Sequence, residues 1–164
     1  MTWHKKETND YYLRGCIGTF KPDLLEKIVK KYALISAFED TRFNKIDIKE
    51  VPFLSCAISL LTNFEPAKTP IDWEIGKHGI QIEFKGKNNN EYGGTYLPEV
   101  MSEQKWDHDM TLNSLVKKAG YKGKLEDVYE SLKVVRYQSQ KCSITFEEYK
   151  EMRKNNKIIY NFSI

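Results

Sequence analysis

The stretch Gly79-Ile80-Gln81-Ile82-Glu83-Phe84-Lys85 constrains the fold of this chain more than any other. In an extended backbone Ile80, Ile82 and Phe84 fall on one side and Gln81, Glu83 and Lys85 on the other, so the segment is a strand with one face in a core and one in water. KGKNNNEYGG follows at once. Its Gly and Asn residues tolerate positive φ, so it reads as a hairpin loop, with Gly76, Gly79, Gly93 and Gly94 as turn residues. The chain then returns through Thr95-Tyr96-Leu97 as an antiparallel partner.

A hairpin-built sheet needs a layer over its apolar face, and several segments have helical periodicity. Pro22-Asp23 suits a helix start, after which Leu24, Leu25, Ile28, Val29, Tyr32, Ala33, Ile35 and Phe38 recur at three- and four-residue steps as one buried face. Asp40-Thr41-Arg42 closes that segment. Pro98-Glu99 begins a further helix, and another runs from Thr111 through Leu112, Leu115, Val116 and Ala119 to a stop at Gly120. Thr145-Phe146-Glu147-Glu148 is a capping-box pattern that opens a last helix. Tyr11 to Phe20 reads as extended, as does the run from Leu132 through Val134 and Arg136 toward Ile144. Cys56, Ile58 and Leu60 alternate with Ser55, Ala57 and Ser59, which turns Cys56 toward the core. Strands return by hairpins rather than by βαβ alternation, so the predicted class is α+β with a mainly antiparallel sheet and packed helices.

Composition excludes several functions. At 164 residues, 40% of them apolar and 13% aromatic, the chain has the length of one domain and the means to build a core without metal or disulfide. Lys and Arg number 26 against 23 Asp and Glu, a formal excess of only +3, which argues against a nucleic-acid partner. Cys16, Cys56 and Cys142 form no CxxC pair and stand near no His at ligand spacing, so they read as reduced thiols in an intracellular protein, cytoplasmic and nuclear compartments both being open to it. MTWHKKETNDYY lacks the apolar stretch of a signal peptide, and no apolar run is long enough to span a bilayer. Asn161-Phe162-Ser163 fits a glycosylation sequon, which means little without a secretion signal. There is no GxGxxG, Walker loop or HExxH, and no cofactor is indicated.

LRGCIGTF (13 to 20), SAFEDTRF (36 to 43), SLLTNFE (59 to 65), DWEIGKHGIQIEF (72 to 84), TYLPEV (95 to 100), EQKWD (103 to 107) and RYQSQK (136 to 141) occur in the order seen in the AMMECR domain family. The chain resembles that family from Trp3 to about Tyr149. The resemblance implies a mixed α/β domain with one larger and one smaller lobe, the larger built from both ends of the chain. It implies no established reaction; prokaryotic relatives are associated with Memo-like and radical-SAM-like proteins. Family members carry a helical segment before the strand that leads into RGCIG, whereas Met1 here nearly abuts it, so uncovered apolar surface and self-association are expected.

The candidate site centres on residues 14 to 18. Gly15 and Gly18 in an extended run need a bulge, a bend or a close approach. In the plain structural reading they serve packing, and Cys16 is a small buried hydrophobe. In the functional one, the bent strand offers N–H groups and a thiol to a ligand, and Arg14 grips a carboxylate or phosphate or lowers the thiol pKa. A thiolate nucleophile also needs a base, and His78 in GKHGI, beside Trp73 and Glu74, is the best imidazole for it. Asp72 and Glu74 could pair with Arg14 or Arg42. Trp73, Trp106, Tyr129 and Tyr137 read as packing anchors. The resemblance gathers Arg14, Cys16, Asp40, Arg42, Glu74 and His78 into one cleft. Two functions follow: a binding or adaptor module for a protein segment or small anion, or an enzyme with Cys16 as nucleophile and His78 as its base. Oligomeric state is left open.

Overall fold

Alternation and capping signals become six strands and four α-helices among the described residues of the computed structural model, which are 1–87 and 89–155. The strands are β1 (Thr2–Glu7), β2 (Asp10–Cys16), β3 (Leu54–Pro66), β4 (Gly79–Lys85), β5 (Glu91–Tyr96) and β6 (Lys133–Thr145). They lie in the order β2-β1-β3-β6-β4-β5. The pairings of β1 with β2 and β3, and of β4 with β5 and β6, are antiparallel. With helices α1 (Leu25–Phe38), α2 (Pro98–Gln104), α3 (His108–Lys118) and α4 (Phe146–Lys154), the fold is α+β. No helix among the described residues is long and apolar enough to cross a membrane. The sequon at Asn161 lies outside the described residues, as does Asn88 of the hairpin loop.

The chain divides into two compact units: Leu60–Gln140, and a second made of Met1–Ser59 with Lys141–Ile164. The contiguous unit holds the large apolar core. β4 spans the residues its alternation predicts, and Ile80 and Ile82 are fully buried. Trp73, Phe84, Met101, Leu112, Leu115 and Val116 complete the centre, so Trp73 is a packing anchor, and Tyr137 is fully buried. The hairpin differs from expectation. Gly93 and Gly94 belong to β5, paired with Glu83 and Ile82, and Gly79 is the first residue of β4 rather than part of a turn. A Cβ on Gly94 would stand 2.9 Å from Leu115 Cδ1, so the glycine lets α3 approach the strand. α3 begins three residues before Thr111, because Asp107 is its N-cap and accepts a hydrogen bond from the Met110 N–H. Gly120 ends it at φ +90°, as predicted.

The discontinuous unit is less thoroughly covered. α1 buries only Ser36 and Ala37, while Leu24 and Leu34 are 75% and 62% exposed, so its predicted apolar face is partly open to water. β2 ends at Cys16, short of the extended run read to Phe20. In β3 the buried residues are Leu54 and Ala57, with Cys56 half-buried, because neighbours cover parts of both faces and simple alternation fails. Cys56 instead lines a shallow apolar groove of about 260 Å³ with Trp3, Val51, Ile144, Phe146 and Tyr149. Burial raises its thiol pKa. The capping box of α4 forms as read: Thr145 Oγ1 accepts from the Glu148 N–H, and Glu148 Oε2 accepts from the Thr145 N–H at 2.7 Å.

Candidate functional site

The glycine and cysteine of RGCIG sit where β2 meets a bulge. Trp3 pairs with Gly15 but His4 with Leu13, so Arg14 is the extra residue and its side chain is re-aimed. A Cβ on Gly15 would stand on the carbonyl oxygen of Ser36, so only glycine lets the strand lie against the α1 backbone. Gly18 has open space around it, and packing does not explain it.

Arg14 is fully engaged within this unit. Nε and Nη2 donate to the two carboxylate oxygens of Glu50 at 3.0 and 2.9 Å, Nη1 to the Asn44 carbonyl at 2.6 Å and Nη2 also to the Lys45 carbonyl at 3.1 Å. Glu50 also meets Lys5 Nζ at 3.1 Å and accepts from the Asp47 N–H. The Arg14 guanidinium, first among these, holds its carboxyl down to about 2. Arg14 therefore fastens the bulge to the 3-10 segment Ile48–Phe53 and its approach.

Arg42 and Asp40 are the groups that touch Cys16. The buried Asp40 carboxylate accepts the Cys16 N–H at 2.8 Å through Oδ2, takes two bonds from the Arg42 guanidinium, Nε at 2.9 Å and Nη2 at 2.7 Å, and accepts the Arg42 backbone N–H at 3.2 Å. Arg42 Nη2 also donates to the Cys16 carbonyl at 3.1 Å. The Arg42 guanidinium, followed by the Cys16 N–H, holds the Asp40 carboxyl well below the usual carboxylate range. The Arg42 side chain is nonetheless 56% exposed, and its Nη1 has no acceptor among the described residues. The Cys16 sulfur lies 3.2 Å from Thr2 Oγ1; no imidazole or carboxylate of this unit reaches it among the described residues.

Glu74 and His78 belong to the contiguous unit, where they line an open cleft of about 480 Å³ with Glu65, Asp72, Lys77 and Arg136. Asp72 and Glu74 pair with Arg136 and Lys77, at 3.0 and 3.1 Å, rather than with Arg14 or Arg42. Arg136 is the residue the sequence reading underrated. Its Nε and Nη2 donate to Glu65 Oε2, and Nη1 donates to the Asp72 carbonyl and carboxylate. The signal was a charged residue inside an apolar strand run at 132 to 137. His78 Nδ1 accepts the Glu74 N–H at 3.0 Å, and burial lowers its pKa. Beside the cleft, Asn63 takes the left-handed conformation within β3 at φ +54° and donates from its amide to Gln138 Oε1 at 3.0 Å. No group of three His, Cys, Asp or Glu side chains gathers as metal ligands among the described residues.

Comparison with known proteins gives the following. A model of the AMMECR1 family matches residues 1–142. The chain is 39% identical over 178 residues to the uncharacterized protein YOR289W of Saccharomyces cerevisiae, covering 94% of this chain and 71% of that one. It is 45% identical over 153 residues to the uncharacterized protein At2g38710 of Arabidopsis thaliana, covering 91% and 71%. The crystal structure of the uncharacterized protein PH0010 from Pyrococcus horikoshii matches with a TM-score of 0.70 and 29% identity, over 87% of this chain and 70% of that one.

Proposed function

The chain belongs to the AMMECR1 family, and from that premise we propose that it is a binding module that grips an anionic group with Arg42 beside the Gly15-Cys16 bulge. The observation that carries this reading is the state of Arg42. Its guanidinium is held in place by the buried Asp40 carboxylate and the Cys16 carbonyl, yet one nitrogen and more than half the side chain face solvent. A planar guanidinium fixed on one edge offers its other edge to a carboxylate or phosphate with little ordering cost. Cys16 supports this by presenting its backbone to both partners, and Gly18 leaves the following loop bare. Arg14 positions the bulge rather than the ligand. The three cysteines are free thiols, in keeping with a reducing intracellular setting.

The Cys16 backbone N–H resonance, present in the native chain and in variants at position 42, gives the test in titrations with inorganic phosphate and with an Asp- and Glu-rich peptide. Saturable shifts in the native chain that Arg42→Lys weakens about tenfold are expected, since lysine lacks the fork. Equal binding by Arg42→Lys would remove the proposal. The covalent-enzyme alternative rests on Cys16, and thiol labelling separates it. A half-buried Cys16 without a base labels no faster at neutral pH than the exposed Cys142. Faster labelling of Cys16 would favour the nucleophile.

A further inference from the structure

We infer that the cleft around His78 and Arg136 is a second binding site, for a compound carrying a protonated amine next to a carbonyl or carboxylate oxygen. Its most buried titratable group is His78, only 9% exposed. A backbone N–H can only donate, so the bond from Glu74 N–H fixes Nδ1 as the acceptor, and the neutral ring carries its proton on Nε2. That Nε2–H has no acceptor among the described residues, although the ring lines the cleft. No side-chain nitrogen or oxygen among the described residues is both buried and unpaired, so this donor is open to the water of the cleft, and a ligand oxygen would take the place of that water.

The other lining groups narrow the ligand. Arg136 is committed to Glu65 and Asp72, so it serves as wall rather than grip. Three carboxylates, Glu65, Asp72 and Glu74, face two cations, Lys77 and Arg136, which leaves the lining with excess negative charge. A bare anion is therefore disfavoured. Glu65 spends Oε2 on Arg136 and Glu74 spends Oε2 on Lys77, leaving each Oε1 without a donor among the described residues. One inward donor and two spare carboxylate oxygens match an oxygen acceptor beside an ammonium. Free amino acids and the amino-terminal residue of a peptide share that chemistry, and the volume of about 480 Å³ suits a small ligand.

The experiment follows the His78 ring and Arg136 Nε resonances of the full chain during titration with glycinamide, glycine, acetate and methylammonium. Glycinamide or glycine is expected to shift both resonances saturably by ~10 mM, an affinity ordinary for so small a ligand. Binding of glycine alone assigns free amino acids as the source, and binding of glycinamide assigns peptide amino termini; either supports the site. No saturable shift with either, or equal shifts with acetate or methylammonium, overturns it. His78→Asn keeps an acceptor for the Glu74 N–H and removes the Nε2 donor, so affinity is expected to fall about tenfold. Glu65→Gln is the second variant, read in the same titration should His78→Asn fail to fold. A several-fold loss is expected there, and unchanged affinity in a folded variant overturns the proposal.

Discussion

Helices α1 and α3 are fixed by different physics, and the contrast runs through the two units that hold them. α3 sinks Thr111, Leu112, Leu115 and Val116 into a core that also takes β4, with Gly94 cut away to admit Leu115. α1 buries two small residues and is held by polar and backbone devices: Gly15 against Ser36, the Trp3 indole N–H donating to the Ala33 carbonyl at 3.0 Å, and the Asp40–Arg42 pair just after its end. Apolar burial is non-directional and tolerates adjustment, whereas a helix seated by a few oriented contacts depends on each of them. One unit is robust because its core is large; the other is accurate because its contacts are specific. The proposed anion grip lies in the second.

Four substitutions and one pH series would break or sharpen this contrast, the largest effect first. Gly15→Ala puts a methyl group on the Ser36 carbonyl, and loss of the α1 amide protection from hydrogen exchange, with β4 still protected, is the expected outcome. Leu112→Ala removes a fully buried side chain and is expected to cost about 2–5 kcal/mol in urea unfolding, reported mainly by the Trp73 environment. Glu50 titrates lower folded than unfolded, so its contribution is complete above pH 4.5 and is lost as pH falls toward about 2. Glu50→Gln should therefore flatten that acid limb of a stability–pH curve, with a loss on the order of 2 kcal/mol at neutral pH. His78 is also depressed in the fold, so its contribution is whole above 6.5 and declines as pH drops through the folded value. Burial is the main cause; Lys77 and Arg136 add to it, while Glu74 and Glu65 oppose it. The same curves should show this as a shallower slope than that of Glu50. Leu34→Ser, on the open face of α1, is expected to change stability by no more than about 0.5 kcal/mol.

Legibility in the sequence followed the same division. Where one face is buried and the other wet, as in β4, alternation gave the strand to the residue, and the reciprocal Thr145–Glu148 pattern gave the start of α4. The fold class was readable for that reason, whereas the family was readable from the resemblance of ordered motifs such as LRGCIGTF and DWEIGKHGIQIEF. The face of α1 was not, because apolar periodicity says which residues could be covered and not whether anything covers them. Cys56 and Ala57 exchanged places because β3 has cover on both sides. Within the site, Asp40 and Arg42 read as the close of α1 while Asp72 and Glu74 read as partners for Arg42, and the structure instead pairs Arg42 with Asp40 two residues away. The bonds from Arg14 to Glu50 and from Arg136 to Glu65 join positions far apart in the chain, and single-sequence patterns carry no information about such pairs. Gly93 and Gly94 misled because glycine marks a close approach as readily as a turn.

The division at Leu60 and Gln140 has a kinetic meaning. During synthesis the contiguous unit emerges with every strand and helix of its core, so it can collapse on local contacts, whereas β1, β2 and α1 must wait for α4 before their own unit is complete. Once the inner unit has folded, the ends of the outer one are joined by a compact body instead of a long coil, and the entropy of closing that loop has already been lost. The order of assembly is then inside first and the termini last.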